Sequence, residues 1–305
     1  MSPTLGEALE STVSRLGTST DSPRAEAEEL LSRLLGLGRS QLYLERARSL
    51  GAQDMKTLEA WLSRRIDGEP IQYVTGHAAF RELDLSVSPH VLIPRPETEL
   101  LVEAVLETLA EERERWVSPR ILDLGTGSGA IALAIAHEWP PARLTATDLS
   151  EAALDVARAN AARSGLETRV RFLRGDWFDA VPADERFEVI VANPPYIAQG
   201  EAEVLPADVR GHEPPLALFS GDSGLEALRE IVEGAPRHLV TGGLLAMELA
   251  EARAHDVATW FEGAHDWERA SLRDDLAGRP RLLLARRQSG PAIAPAQWGE
   301  DPDSI

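Results

Sequence analysis

The stretch Val191-Ala192-Asn193-Pro194-Pro195-Tyr196 ends an apolar run with a carboxamide, two prolines and a phenol ring. Consecutive prolines remove two backbone N–H donors and hold φ at about −65°, so neither a sheet ladder nor a helix continues through them. Such a segment serves as a plain strand-ending turn, or as a rigid loop presenting Asn193, two carbonyls and the Tyr196 ring to a ligand. A second candidate is Asp123-Leu124-Gly125-Thr126-Gly127-Ser128-Gly129. Its glycines let the backbone pass close to a bound molecule, although the same triplet also makes a tight strand-to-helix turn. The spacing is G-x-G-x-G, not the dinucleotide pattern G-x-G-x-x-G. Asp148 closes the next apolar run, where a carboxylate can accept hydrogen bonds from both hydroxyls of a ribose. The neighbouring Ser150 suits a helix cap equally well. In Arg174-Gly175-Asp176-Trp177-Phe178-Asp179, Asp176 is able to accept from an exocyclic amine and Trp177 to flank a purine; the plainer alternative is an acidic turn with a core tryptophan.

These candidates need elements to hold them. Residues 1–67 place Leu, Ala and Trp at three- and four-residue intervals among acids and arginines, which predicts a small helical bundle. Ser2-Pro3 and Ser22-Pro23 read as an N-cap followed by proline at the first helical position, and Gly68 as the end of the last helix. Residues 78–94 alternate apolar and polar in two short runs, a hairpin acting as connector. From residue 97 helix and strand alternate, which predicts a parallel, doubly wound sheet. All four candidate segments then fall at the carboxyl ends of successive strands, the rim where open α/β sheets bind ligands. The divisions expected are a helical recognition domain over 1–77, the connector over 78–95, the large α/β domain over 96–287 and a disordered tail over 288–305, rich in Pro, Gly and acid.

Composition narrows the function. The 305 residues carry a formal charge of −19 and no cysteine. Thiolate catalysis and cysteine-held zinc are excluded, and large nucleic-acid ligands are disfavoured because the arginines form no basic run. The start lacks a signal-like h-region and the longest apolar stretch, residues 130–136, is far too short for a bilayer, so a cytoplasmic protein without membrane contact is expected.

Together, G-x-G-x-G, the acid at Asp148 and N-P-P-Y resemble an S-adenosylmethionine-dependent methyltransferase acting on a planar amide or amine nitrogen. "IPRPETELLVE" at 93–103, "EPIQYVTG" at 69–76 and "HEPPLALFSGDSGL" at 212–225 resemble, more narrowly, the HemK/PrmC family of protein-glutamine N5-methyltransferases, up to about residue 287. The resemblance implies an α/β fold: a Rossmann-like, seven-stranded S-adenosylmethionine-dependent methyltransferase domain with a small N-terminal helical bundle. It implies S-adenosyl-L-methionine as cofactor, no metal, and class 1 peptide chain release factors as partners, methylated on the glutamine of their Gly-Gly-Gln (GGQ) loop. Carried over, the cofactor loop falls on Gly125, Thr126, Gly127, Ser128 and Gly129, the ribose acid on Asp148 and the adenine-side aromatic on Trp177. The catalytic loop falls on Asn193, Pro194, Pro195 and Tyr196, with Asn193 also at the cofactor and Tyr196 packed on the substrate amide. Phe80 resembles an aromatic that approaches the cofactor. Arg95 and Glu97 are expected to brace the domain junction as a structural ion pair; Glu213 and Glu248 match motif positions without a derived duty. The rival readings are a glutamine methyltransferase for a ribosomal protein, an N6-adenine or N2-guanine nucleic-acid methyltransferase, and a silent S-adenosylmethionine-binding partner.

Overall fold

The computed structural model describes residues 2–268 and 270–288. The expected tail lies outside the described residues from 289 onward; the Gln288 N–H still donates to the Asp266 carbonyl at 2.8 Å.

Five helices come first: α1 (Leu5–Leu16), α2 (Pro23–Leu35), α3 (Arg39–Leu44), α4 (Ala52–Ile66) and the short α5 (Ile71–Thr75). Pro23 stands at the first turn of α2 as expected, but α1 is capped by Thr4, whose hydroxyl and Glu7 form a reciprocal capping box. Leu5, Leu9, Leu16, Leu30, Leu31 and Leu58 fill the bundle's own core. The hairpin β1 (His77–Phe80) and β2 (Leu83–Ser86) follows. Arg33 of α2 reaches Asp84 of β2 at 2.8 Å, tying bundle to hairpin.

The remainder is α6 (Pro96–Glu111), β3 (Arg120–Leu124), α7 (Ala130–Glu138), β4 (Arg143–Asp148), α8 (Glu151–Arg163), β5 (Val170–Arg174) and β6 (Phe187–Ala192), then a 3-10 turn (Gln199–Val204), α9 (Ala207–His212), α10 (Pro215–Leu218), α11 (Glu226–His238), β7 (Leu239–Glu248), α12 (Glu251–Thr259), β8 (Ser271–Asp274) and β9 (Pro280–Arg286). The seven strands lie in the order β5-β4-β3-β6-β7-β9-β8. Alternate side chains divide the core as a pleat requires. Ile121, Val189, Val191 and Leu244 meet α6 and α7 on one face, while Leu122, Ile190, Leu245 and Met247 meet α11 and α12 on the other.

One expectation needs correction. The sheet is not wholly parallel, because β9 pairs antiparallel with both β7 and β8. Apolar alternation reports burial of a strand's faces and says nothing of its direction. Strand order reverses at β3, between β4 and β6, and the crevice outside the carboxyl ends of β3 and β6 is where a ligand fits. Among the described residues no helix is long and apolar enough to cross a membrane.

Candidate active site

A cavity of about 440 Å³ opens at that crevice, and it joins the glycine turn to the N-P-P-Y loop. Gly125, Thr126, Gly127, Ser128, Asp148, Trp177, Asn193 and Pro195 all line it. Val91, Leu92, Leu216 and Phe219 supply apolar wall.

The glycine turn owes its shape to three positive φ values, +68° at Gly125, +55° at Gly127 and +83° at Gly129. The Thr126 N–H donates to the Thr147 carbonyl of β4 at 2.9 Å. Gly127 faces open space, since nothing lies within 4 Å of where its Cβ would stand. Gly129 is different: a Cβ there meets Leu133 at 3.1 Å and Ala157 at 3.3 Å, and the residue does not line the cavity. Its role is close packing of α7 on α8.

Beneath the turn, Asp123 is fully buried and takes the Thr126 hydroxyl on Oδ2 at 2.6 Å, while Oδ1 has no partner. Loss of water pushes its carboxyl up to about 7. Asp148 accepts the Gly127 N–H at 2.9 Å on Oδ2 and the Ser150 N–H at 2.8 Å on Oδ1, which leaves a lone pair on each oxygen for a ligand. Burial raises its carboxyl too. The cap of α8 is Ser150, whose hydroxyl accepts from Ala153, so Asp148 is not needed for that task. Trp177 adopts φ +36°, a left-handed value that costs a bulky residue roughly 1–2 kcal/mol, and its ring stands beside Gly125. The Thr147 hydroxyl holds the Trp177 carbonyl at 3.2 Å. Asp176 lies exposed on the rim beside Glu226 and Glu230.

Beyond Asn193 the chain is backed by a second segment: Ile197 N–H donates to Leu218 at 3.1 Å, Ser220 to Ile197 at 2.9 Å and Gln199 to Gly221 at 3.0 Å. Gly224, at φ +76°, presses so close that a Cβ would stand 2.6 Å from the Tyr196 carbonyl oxygen. Proline stiffness is thus reinforced by pairing. Asn193 Nδ2 donates to the Thr98 hydroxyl at 3.1 Å, and that hydroxyl donates to Glu248 Oε2 at 2.6 Å.

Four placements differ from expectation. Phe80 is 1 % exposed, sits among Leu101, Val105 and Ile131, and does not line the cavity. Burying a phenylalanine contributes about 1.5–3 kcal/mol, and the hairpin's alternation turns this ring inward. Pro194 is buried between Asn193 and Pro195, which line the cavity, and its carbonyl accepts from no N–H among the described residues, which leaves it an open acceptor. Tyr196 packs against the β7 and α11 face instead of the cavity, its hydroxyl 3.5 Å from Glu248; desolvation, then the Glu248 charge, push it up to about 12. Arg95 does form an ion pair, but with Glu213 at 2.6 Å, while Glu97 makes none among the described residues.

Two residues escaped the sequence reading. Thr98 sits inside the quoted "PRPETE" and bears no local mark of its contact with Asn193. Asn160 is 1 % exposed and binds both the Ser128 carbonyl at 2.9 Å and the Ser86 carbonyl at 3.0 Å, joining the glycine turn to the hairpin. A signal existed for it, because it shares the buried stripe of α8 with Leu154, Ala157 and Ala161.

Comparison with known proteins bears on this geometry. Residues 7–76 match the family model described as the PrmC N-terminal domain, and residues 97–208 match the methyltransferase small domain. The release factor glutamine methyltransferase of Koribacter versatilis is 41 % identical over 93 % of this chain and 99 % of its own length. That of Moorella thermoacetica is 43 % identical over the same shares, 93 % and 99 %. Among solved structures, the hMettl16 catalytic domain in complex with a MAT2A 3'UTR hairpin has a TM-score of 0.54 at 13 % identity, over 80 % of this chain and 84 % of that one, a likeness of fold alone. A glycine-turn and N-P-P-Y cavity on this sheet, with relatives of such identity along nearly their full length, leads to one assignment: the chain belongs to the release factor glutamine methyltransferase family.

Proposed function

We propose that this protein methylates the side-chain nitrogen of the glutamine in the GGQ loop of class 1 peptide chain release factors, in the cytoplasm, with the helical bundle helping to recognise the partner. The cofactor is S-adenosyl-L-methionine. The residues present fit it: Gly127 leaves room for close approach, Gly125, Thr126 and Ser128 line the same wall, and Asp148 keeps free lone pairs where ribose hydroxyls would donate. Asp176 and Trp177 suit the amine and the face of an adenine. When bound, the cofactor supplies a methyl carbon on a positively charged sulfur, an electrophile that needs no further activation.

The chain's own task is to prepare an unwilling nucleophile. An amide nitrogen shares its lone pair with its carbonyl, so it must become more pyramidal as the new bond forms. Asn193 Oδ1 and the Pro194 carbonyl would accept its two N–H groups and fix its direction. Acceptors whose positions are set before reaction cost little reorganisation during it, and the prolines with their paired backing provide that rigidity. The nitrogen turns acidic only as it gains the methyl group, so one proton leaves past these acceptors to water without a dedicated strong base.

The observation that carries the reading is Asn193 at the carboxyl end of β6, lining one cavity with the glycine turn and Asp148. The test supplies methyl-labelled cofactor with release factor, ribosomal protein and nucleic acid in separate reactions. Label in release factor, lost when its GGQ glutamine is replaced by glutamate, is the expected result. Label in nucleic acid alone would overturn the assignment.

A further inference from the structure

The carboxamide of Asn193 can face the cavity with either its oxygen or its NH₂, and only the oxygen can accept from a substrate amide. Two side chains decide which. Thr98, in the first turn of α6, is 4 % exposed, and Glu248, at the end of β7, is 1 % exposed. In the structure the Thr98 hydroxyl spends its single hydrogen on Glu248 Oε2, at 2.6 Å. Its lone pairs then face Asn193, and only Nδ2 can donate to them. Turning the amide over would set two acceptors face to face and forfeit a buried hydrogen bond.

We propose that Glu248 and Thr98 are positioning residues that set the polarity of the Asn193 carboxamide, so that Oδ1 is held toward the cavity. The inference rests on the substrate reading above. It gives Glu248 a duty that its motif position alone did not reveal. Glu248 does not line the cavity and acts only through Thr98, whereas Tyr196 steadies its other oxygen. The groups facing Glu248 are Thr98 and Glu97 of α6, Tyr196 of the N-P-P-Y loop and Arg281 of β9; burial and then Glu97 raise its carboxyl, opposed by Thr98, Arg281 and Tyr196. A protonated Glu248 could donate to Thr98, and Thr98 could then donate to Asn193 Oδ1. That reverses the amide.

Glu248→Gln is the discriminating variant, because glutamine keeps the shape, can donate or accept, and removes a buried charge. Steady-state methylation of a release factor should show kcat about 10-fold lower at neutral pH with KM for the release factor within about 3-fold. Its melting temperature should be no lower than wild type. On lowering the pH, the wild-type rate should fall toward that of Glu248→Gln while the variant stays flatter. Thr98→Val should lose about 100-fold in kcat and Thr98→Ser should recover most of it, with cofactor affinity by calorimetry unchanged in both. A wild-type rate in Glu248→Gln, a loss in step with loss of folded protein, or a serine variant as impaired as valine would each overturn the relay. Should wild type label another substrate instead, the substrate reading fails and the same variants are scored on that substrate.

Discussion

The glycine-turn half of the cavity is made largely of backbone, whereas the Asn193 half is held by side chains gathered from distant elements. In the first, positive φ at Gly125 and Gly127 and the N–H of Gly127 on Asp148 do the shaping, within one strand-turn-helix unit and its neighbour. In the second, Asn193 depends on Thr98, 95 residues away, and Thr98 on Glu248, a further 150 residues along. Backbone devices leave residue-type marks in sequence because glycine alone takes such φ without a Cβ penalty. A hydroxyl that orients an amide leaves none. The two halves should therefore fail differently when damaged.

Removing the Asn193 carboxamide strikes the second half alone. Asn193→Ala should lower kcat on the order of 1000-fold, as deletion of a preorganised polar group does, while calorimetric affinity for S-adenosyl-L-methionine stays within a few-fold. Equal loss of both would mean that the halves are not separable. Asp148→Ala strikes the first half: cofactor affinity should weaken by about 1.5–3 kcal/mol, with kcat at saturating cofactor nearly kept. Loss of kcat at saturation would contradict that division.

Asp123 offers a pH test of the buried floor under the glycine turn. Its folded carboxyl is raised to about 7, above the unfolded value, so the native state holds the proton longer and stability falls as pH rises through that window. Between pH 5 and 8 this contributes on the order of 2 kcal/mol of lost stability. Asp123→Asn should flatten the pH dependence of denaturant unfolding by that amount, and an unchanged slope would contradict the burial argument. Gly129→Ala should give the smallest effect, about 1–2 kcal/mol of stability from the left-handed φ, with cofactor affinity unchanged because the residue packs α7 on α8. A specific loss of cofactor binding would return Gly129 to the ligand-facing wall.

The same contrast explains what the sequence made legible. The bundle, the glycine turn, Asp148, Trp177 and the proline-locked loop all carry local periodicity or residue-type signals, and the structure places Asp148, Trp177 and Asn193 on one cavity. The short helices between residues 199 and 218 passed unread because prolines and acids interrupt any apolar period there. β8 also passed unread: Ser271, Arg273 and Asp274 are exposed and Leu272 is half-buried, so its alternation is faint. Direction of β9 is settled by pairing with β7, a long-range fact. Phe80 enters by resemblance alone, since an aromatic in a two-residue alternation looks the same whether its inner face meets a core or a cavity; in the structure it packs in the core.

A crystal structure with S-adenosylhomocysteine and a release factor bearing an intact GGQ loop tests the central claim most directly. The glutamine nitrogen should lie within hydrogen-bond reach of both Asn193 Oδ1 and the Pro194 carbonyl, with Asn193 Nδ2 still on Thr98. A glutamine bound away from that corner, or an Asn193 amide turned with its oxygen on Thr98, would contradict it.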